Sequence, residues 1–293
     1  MNTRFSNASR STRHHTAGAP FAAPPSRPFA QSVYGPVVSQ RLGRNLGVNL
    51  CPSRLRVCSF SCVYCEFGRV PSAGSAPRWP DPREVASALA RALDRGIRLD
   101  AVTISGHGEP TLHPQFAAVA SEVLSEVRRA RPALPVRILT NGTGAVRADV
   151  RRALDGLDER IVKLDAAAER VNRPRRSYPL GAVIQALSML RDVTLQSCFI
   201  EGAISNTDPA TVRDWIELVS EISPGAVQIY SIDRAPATAE IRPVSAEGLE
   251  AIARRLRQHT RAEVHTFPEA AGRGGRAGAR RWWRKSLDAG PGH

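Results

Sequence analysis

Two periodicities alternate along this chain of 293 residues. Behind Asp81 and Pro82, Val85, Leu89 and Leu93 recur at helical spacing, which predicts a helix capped by Asp81 with proline at its first position. Asp100–Ser105 then reads as a strand, Phe116, Val119, Val123 and Val127 predict a helix over 114–131, and Val136–Thr140 is the next strand. The series continues with helices expected near 147–155, 181–191, 208–222 and 246–259, and strands at Arg160–Asp165, Thr194–Ile200, Ala226–Ile232 and Glu263–Phe267. A short apolar strand at Leu46–Leu50 precedes them. Alternating strands and helices build a parallel sheet through right-handed crossovers, and about six such units in a row predict an α/β fold, a partial (β/α)6 TIM-like barrel. A doubly wound sheet has the same periodicity and stays open as the alternative.

Active sites of both architectures gather beyond the carboxyl ends of the strands. Directly after the first strand comes Cys58-Ser-Phe-Ser-Cys62-Val-Tyr-Cys65, which holds three of the chain's five cysteines. Thiolates this close repel one another, and thiols this close scramble into disulfides, unless a cation or cluster takes them all. A structural zinc site needs four ligands, usually as two separated pairs, and the next histidines are His107 and His113. A redox pair of Cys62 and Cys65 leaves Cys58 without a purpose. An iron–sulfur cluster fits best. A cubane bound by three cysteines keeps one iron open, the mark of a catalytic rather than a structural site.

Other strand ends carry polar residues. In Ser105-Gly-His-Gly-Glu-Pro110, Gly106 and Gly108 allow backbone to approach a ligand and Glu109 offers a carboxylate; a glycine-rich turn with a solvated Glu is the plainer reading. Asn141, in Leu139-Thr-Asn-Gly142, suits either a turn or a hydrogen bond to a carboxylate or ribose. In Ile161–Asp165, period two sends Val162 and Leu164 toward the helices and Lys163 and Asp165 inside. Asp165 is there a ligand for ribose hydroxyls or an internal partner of Lys163. Lys163 is one of only two lysines; unlike Arg, a desolvated Lys can lose its proton and form a Schiff base with a carbonyl substrate, the alternative to a plain ion pair. Ser205 and Asn206 follow strand five, placed to meet cofactor or substrate or to begin a helix, and Tyr230–Arg234 follows strand six. Cys51 and Cys198 read as inert core thiols.

The CxxxCxxC spacing, with Tyr64 as the aromatic residue before the last cysteine, resembles the signature of radical S-adenosylmethionine (SAM) enzymes. The resemblance implies a partial barrel of the radical SAM type and a 4Fe-4S cluster held by Cys58, Cys62 and Cys65. It also implies that the open iron chelates S-adenosylmethionine, whose reductive cleavage yields a 5′-deoxyadenosyl radical for hydrogen abstraction, with electrons from a donor such as flavodoxin or ferredoxin. By motif position Tyr64, Gly108, Glu109, Asn141, Asp165 and Ser205 become cofactor contacts, Glu109 with the ammonium group. The lead-in Tyr34-Gly-Pro-Val-Val-Ser39 and Arg41–Asn49, and the Asn172-Arg-Pro174 segment, further resemble the iron–sulfur oxidoreductases related to the tRNA wybutosine-synthesising enzyme. Those relatives bear extra N-terminal cysteines for a second cluster. This chain has none before Cys51, a departure from the pattern of the enzymes that carry out the tRNA reaction.

Composition changes the picture little. No apolar run approaches a membrane span, and the clustered cysteines point to a reducing, cytoplasmic compartment. Residues 1–33 lack Asp and Glu, are rich in Ser, Ala, Pro and Arg, and read as a disordered basic tail; 34–268 is the expected core domain, and 269–293 a second basic tail with Trp282 and Trp283. The net charge of +14 invites a nucleic-acid partner, and an RNA-binding or scaffold protein with an inert iron–sulfur loop is the rival class. Yet 39 of the 41 basic residues are Arg, a compositional bias more than a patch, and polar residues at successive strand ends serve catalysis better than binding.

Overall fold

In chain order the strands are β1 (Val33–Ser39), β2 (Gly43–Val48), β3 (Ala101–Ile104), β4 (Val136–Thr140), β5 (Glu159–Lys163), β6 (Val193–Cys198), β7 (Ile200–Gly202), β8 (Ala226–Tyr230), β9 (Ile241–Pro243) and β10 (Glu263–Phe267). The structure, a computed structural model, describes residues 31–52, 56–68, 77–174, 179–232 and 240–268. Eight strands form one sheet in the order β1-β2-β3-β4-β5-β6-β8-β10, parallel throughout except for the antiparallel β1–β2 pair, while β7 and β9 pair separately. In a flat sheet β2 and β8 would lie about 24 Å apart. Arg41, on the turn from β1 to β2, nevertheless has its guanidinium carbon 4.0 Å from the ring centroid of Tyr230 at the end of β8. The sheet therefore curls into a partial barrel, and the doubly wound alternative falls.

The helices are α1 (Pro82–Leu93), α2 (Phe116–Ala130), α3 (Ala148–Asp155), α4 (Ala168–Val171), α5 (Leu180–Ser188), α6 (Pro209–Ile222) and α7 (Ala246–Arg257). Their starts follow from local chemistry: Asp81 accepts from the Arg83 amide while Glu84 accepts from the Asp81 amide, and Asp208 accepts from Thr211, each with proline at the first helical position. Val85, Leu89, Val119, Val123, Leu187, Val219 and Leu249 belong to one buried core with the strand residues Val102, Ile104, Val136, Ile138, Val162, Leu195, Val227 and Ile229. The opposite strand face is polar. Near the amino ends of the strands Arg137 bonds Glu159 at 2.8 Å and the Leu42 carbonyl at 2.8 Å, and Thr103 donates to Asn45 at 2.7 Å. This layer leaves the carboxyl end of the barrel as the open one.

Three departures from the sequence reading have physical causes. β1 begins at Val33, just ahead of the expected domain start, and escaped notice because Gly35 and Pro36 interrupt it; the pairing register shifts between Tyr34 and Val37, and an edge strand tolerates the missing N–H of a proline. Gly47 is needed opposite it, since a Cβ there would lie 2.2 Å from the Tyr34 ring. The pair β7–β9 and the single turn α4 are too short to show a period. Ser105, Asp165 and Phe199, read as strand, instead lie just past strand ends. The two expected tails fall almost wholly outside the described residues, and among the described residues no helix is long and apolar enough to cross a membrane.

Trp215 on α6 ties this scaffold to the site. Its indole N–H points at the Leu164 carbonyl at 3.0 Å and at the Ser197 hydroxyl at 3.1 Å, one residue before Asp165. Trp215→Phe is expected to lower unfolding free energy by about 1–3 kcal/mol through the lost bond and the void it leaves, measured by urea denaturation.

Candidate active site

Cys58, Cys62 and Cys65 all line one cleft of about 540 Å³ at the carboxyl ends of the strands. Their loop is sewn to two neighbours. On one side the Glu109 amide donates to the Val57 carbonyl at 2.9 Å and His107 meets the Pro52 carbonyl at 3.0 Å. A Cβ on Gly108 would sit 2.1 Å from the Val57 carbonyl oxygen, and one on Gly106 would sit 1.9 Å from Asn49 Oδ1, so this close approach requires both glycines. On the other side the amides of Ser61 and Val63 donate to the carbonyls of Asn172 and Val171, at 2.8 and 2.9 Å, and Phe60 bridges Pro174.

Each of the three sulfurs faces an N–H donor. Cys58 Sγ is met by the Phe60 amide at 3.4 Å and by Asn141 Nδ2 at 3.8 Å, Cys62 Sγ by Asn172 Nδ2 at 3.4 Å, and Cys65 Sγ by Arg56 Nη2 at 3.1 Å. Donors aimed at sulfur stabilise thiolate ligands and tune the metal group they carry. Burial raises the Cys58 thiol and pushes that of Cys62 up to about 11, so these thiols stay protonated unless a metal displaces the proton. Three soft sulfurs with N–H support are a donor set that fits an iron–sulfur cluster. Cys51 and Cys198 are buried, with their thiols pushed up to about 12 chiefly by desolvation.

Glu109 and Asn141 form a second network. The buried Glu109 carboxylate accepts from the Thr111 hydroxyl at 2.6 Å, the Thr140 hydroxyl at 2.5 Å, and the amides of Thr111 and Asn141 at 3.1 and 2.7 Å. Desolvation raises its pKa, and those four donors oppose the rise. Asn141 donates to Ser59 at 2.8 Å and accepts from Thr143, so the turn after β4 positions the Cys58 end of the loop. Both residues line the cleft with Gly108.

The Asp165 carboxylate is surrounded by partners within the protein. It is not among the residues lining the cleft. Its oxygens accept from the Cys198 amide at 2.6 Å, Asn172 at 2.6 Å and the Tyr64 hydroxyl, and Lys163 Nζ lies 3.6 Å away. Lys163 also bonds the Tyr230 hydroxyl and stands 4.8 and 4.5 Å from the ring centroids of Tyr64 and Tyr230. Burial alone would lower its pKa, but the neighbouring Asp165 and Tyr230 outweigh that and raise it, which favours the charged amine.

Ser205 does not reach the cleft: its hydroxyl bonds Thr207 at 3.0 Å, and its carbonyl accepts from Arg170. Asn206, fully buried, accepts from the Ile200 amide at 2.8 Å and donates to the carbonyls of Cys198 and Ala166, a staple between strand ends. Tyr230 lines the cleft, whereas Asp233 and Arg234 lie outside the described residues. Arg41, Arg56 and the clamp made by Asn172 were not singled out as site residues from sequence. Only the resemblance of Asn172-Arg-Pro174 pointed at the last, without a mechanism.

A family model described as "Radical SAM superfamily" matches residues 53–219. Among curated proteins, a UPF0026 protein of Synechocystis sp. is 30% identical over 68% of this chain and 74% of its own length, and one of Helicobacter pylori J99 is 33% identical over 69% and 66%. A Brachyspira hyodysenteriae protein named GTPase Obg is 27% identical over 74% of this chain, which spans only 32% of that protein. Solved structures of similar fold include a radical SAM methyltransferase from Sphaerobacter thermophilus (16% identity, TM-score 0.59, covering 80% of this chain and 68% of that one). TYW1 with a lysine–pyruvate adduct bound (14%, TM-score 0.53, 79% and 76%) is another. A family model covering more than half of the chain, relatives at 30% identity or above, and three N–H-supported cysteines on one cleft lead to a single conclusion: the chain belongs to the radical SAM superfamily, is an enzyme of that superfamily, and has UPF0026 proteins as relatives.

Proposed function

We propose that Cys58, Cys62 and Cys65 hold a 4Fe-4S cluster, that S-adenosylmethionine lies against Gly108, Glu109 and Asn141, and that the cleft admits a substrate for hydrogen abstraction. The observation that carries this reading is the set of N–H donors directed at all three sulfurs from Phe60, Asn141, Asn172 and Arg56. When bound, the cluster and S-adenosylmethionine supply the 5′-deoxyadenosyl radical that the superfamily uses. The chain's own residues bind and orient. Gly108 lets its carbonyl and that of its neighbours approach an ammonium group, and Glu109 holds the end of β4 against that turn while adding negative charge beside it. Asn141 keeps the loop in register through Ser59. Asp165 acts through other residues: it positions Tyr64, Asn172 and Lys163 rather than touching the cofactor. A cytoplasmic location and a flavodoxin- or ferredoxin-type electron donor belong to the same reading, since oxygen-sensitive clusters need a reducing compartment.

The rival function for Lys163, an imine with a carbonyl substrate, requires a neutral amine, and the contacts of Asp165 and Tyr230 favour the charged one. Lys163→Met is expected to cost about 3 kcal/mol of stability, the low end for a broken buried pair because three other donors remain on Asp165. Lys163→Arg should keep most of that stability, as chemical denaturation would show. If the Arg variant cleaves S-adenosylmethionine but fails to convert the substrate, the amine role returns.

Anaerobic reconstitution with iron and sulfide, followed by S-adenosylmethionine and dithionite, tests the central reading through release of 5′-deoxyadenosine. Ala at Cys58, Cys62 or Cys65 is expected to abolish both the brown chromophore and that release, whereas Ala at Cys51 should retain iron. Equal iron loss from Cys51→Ala and Cys58→Ala would sink the ligand assignment. Asn172→Leu, which removes the donor facing Cys62 and one partner of Asp165, should weaken cluster retention by about 10–100-fold, read as iron loss to a chelator.

A further inference from the structure

The far wall of the cleft has a cation without a counterpart. Arg41 lines it, stacked on Tyr230, and among the described residues nothing accepts a hydrogen bond from its guanidinium; Nε is buried without a partner. An unpartnered Nε also occurs in Arg56 and Arg160. What sets the half-buried Arg41 apart is that no other nitrogen of its guanidinium reaches an acceptor among the described residues, whereas the buried arginines of the barrel do. Arg137 meets Glu159 and the Leu42 carbonyl, and Arg160 meets the carbonyls of Leu154, Asp155 and Leu157. A guanidinium taken partly out of water without an acceptor is costly, and a ligand that supplies the acceptor recovers that cost on binding.

We propose that this wall is an oxyanion subsite and that the substrate carries a carboxylate or phosphate group that docks on Arg41. The inference rests on the radical SAM reading of the cleft and adds the chemical class of its substrate. The shape of the donor sets the class. A guanidinium fork matches the two oxygens of a carboxylate or phosphate, and the Tyr230 ring fixes the plane of that fork. Lys163, 4.5 Å from the same ring centroid, is already matched by Asp165 at 3.6 Å, which leaves Arg41 as the donor for an incoming anion on that wall. Gln196 lines the cleft at the register of Lys163, and its amide already donates to the buried Gln228 beside it on β8 at 2.7 Å. Arg41 leans on the end of β8, whereas the assigned cofactor contacts sit past the ends of β3 and β4. One cleft thus accommodates the cofactor on one side and an acidic substrate on the other.

The test is calorimetric titration of the reconstituted protein, first with S-adenosylmethionine and then, in its presence, with inorganic phosphate and with succinate. Saturable binding of either anion is expected, and whichever binds tighter names the group. Arg41→Met should weaken that binding by on the order of ten-fold or more, and Arg41→Lys, which keeps charge but loses the fork, by less. Matching denaturation curves for the variants and wild type show that folding is not the cause. If neither anion binds while S-adenosylmethionine does, the oxyanion subsite is wrong and the radical SAM reading stands. If S-adenosylmethionine itself fails to bind the reconstituted wild type, it is that reading which fails. If Arg41→Met loses S-adenosylmethionine affinity instead of anion affinity, Arg41 serves the cofactor's carboxylate and the proposal is overturned.

Discussion

The buried carboxylate of Asp165 is the joint on which the site depends. It lies just past β5 and accepts from the backbone of β6 at Cys198, from Asn172 after α4, and from Tyr64 within the cysteine loop, with the Lys163 ammonium beside it. A carboxylate so fully desolvated is tolerable only with several donors and a cation around it. Those same donors are what the site must hold still: the residue ahead of the third cysteine, the amide facing Cys62, and the lysine on the cleft wall. One buried group therefore fixes several residues around the cleft at once.

The opposite flank uses close approach instead of charge. Gly106 and Gly108 allow the turn after β3 to press against Asn49 and Val57, and the Glu109 side chain binds that turn to the end of β4. The cysteine loop is thereby held between two rigid strand ends. This suits a loop that must present three sulfurs to one face, because loops alone do not fix side chains as firmly as sheet ends do. Arg56, Asn141 and Asn172 then bring N–H groups to the sulfurs from different parts of the chain.

Electrostatic balance in the cleft follows from the same arrangement. Glu109 and the cysteine sulfurs lie at the ends of β3 and within the loop, while Arg41 and Lys163 stand on the wall formed by the β1–β2 turn, β5 and β8. This arrangement arises only because the sheet curls far enough to bring Arg41 to Tyr230.

The periodic part of the fold was legible in residue order because each helix and strand buries one face, and that burial writes periods of 3.6 and two into the chain. Val136–Thr140 and Glu263–Phe267 come out with the boundaries expected of them, and the cysteine spacing carries its chemistry locally. The inward direction of Lys163 and Asp165 also follows from alternation. What alternation does not encode is who meets whom across the barrel. Asp165 binds Tyr64, 101 residues away; Asn172 reaches Cys62 across 110; Ser205 turns to Thr207. Curling of the sheet and loop closure decide these contacts, and neither leaves a local signature. The edge strand β1 stayed hidden for a related reason, since its glycine and proline read as breakers until a neighbouring strand supplies their place. Local burial thus determined the elements, cysteine spacing the character of the loop after the first strands, and long-range packing alone which side chains meet around the cleft.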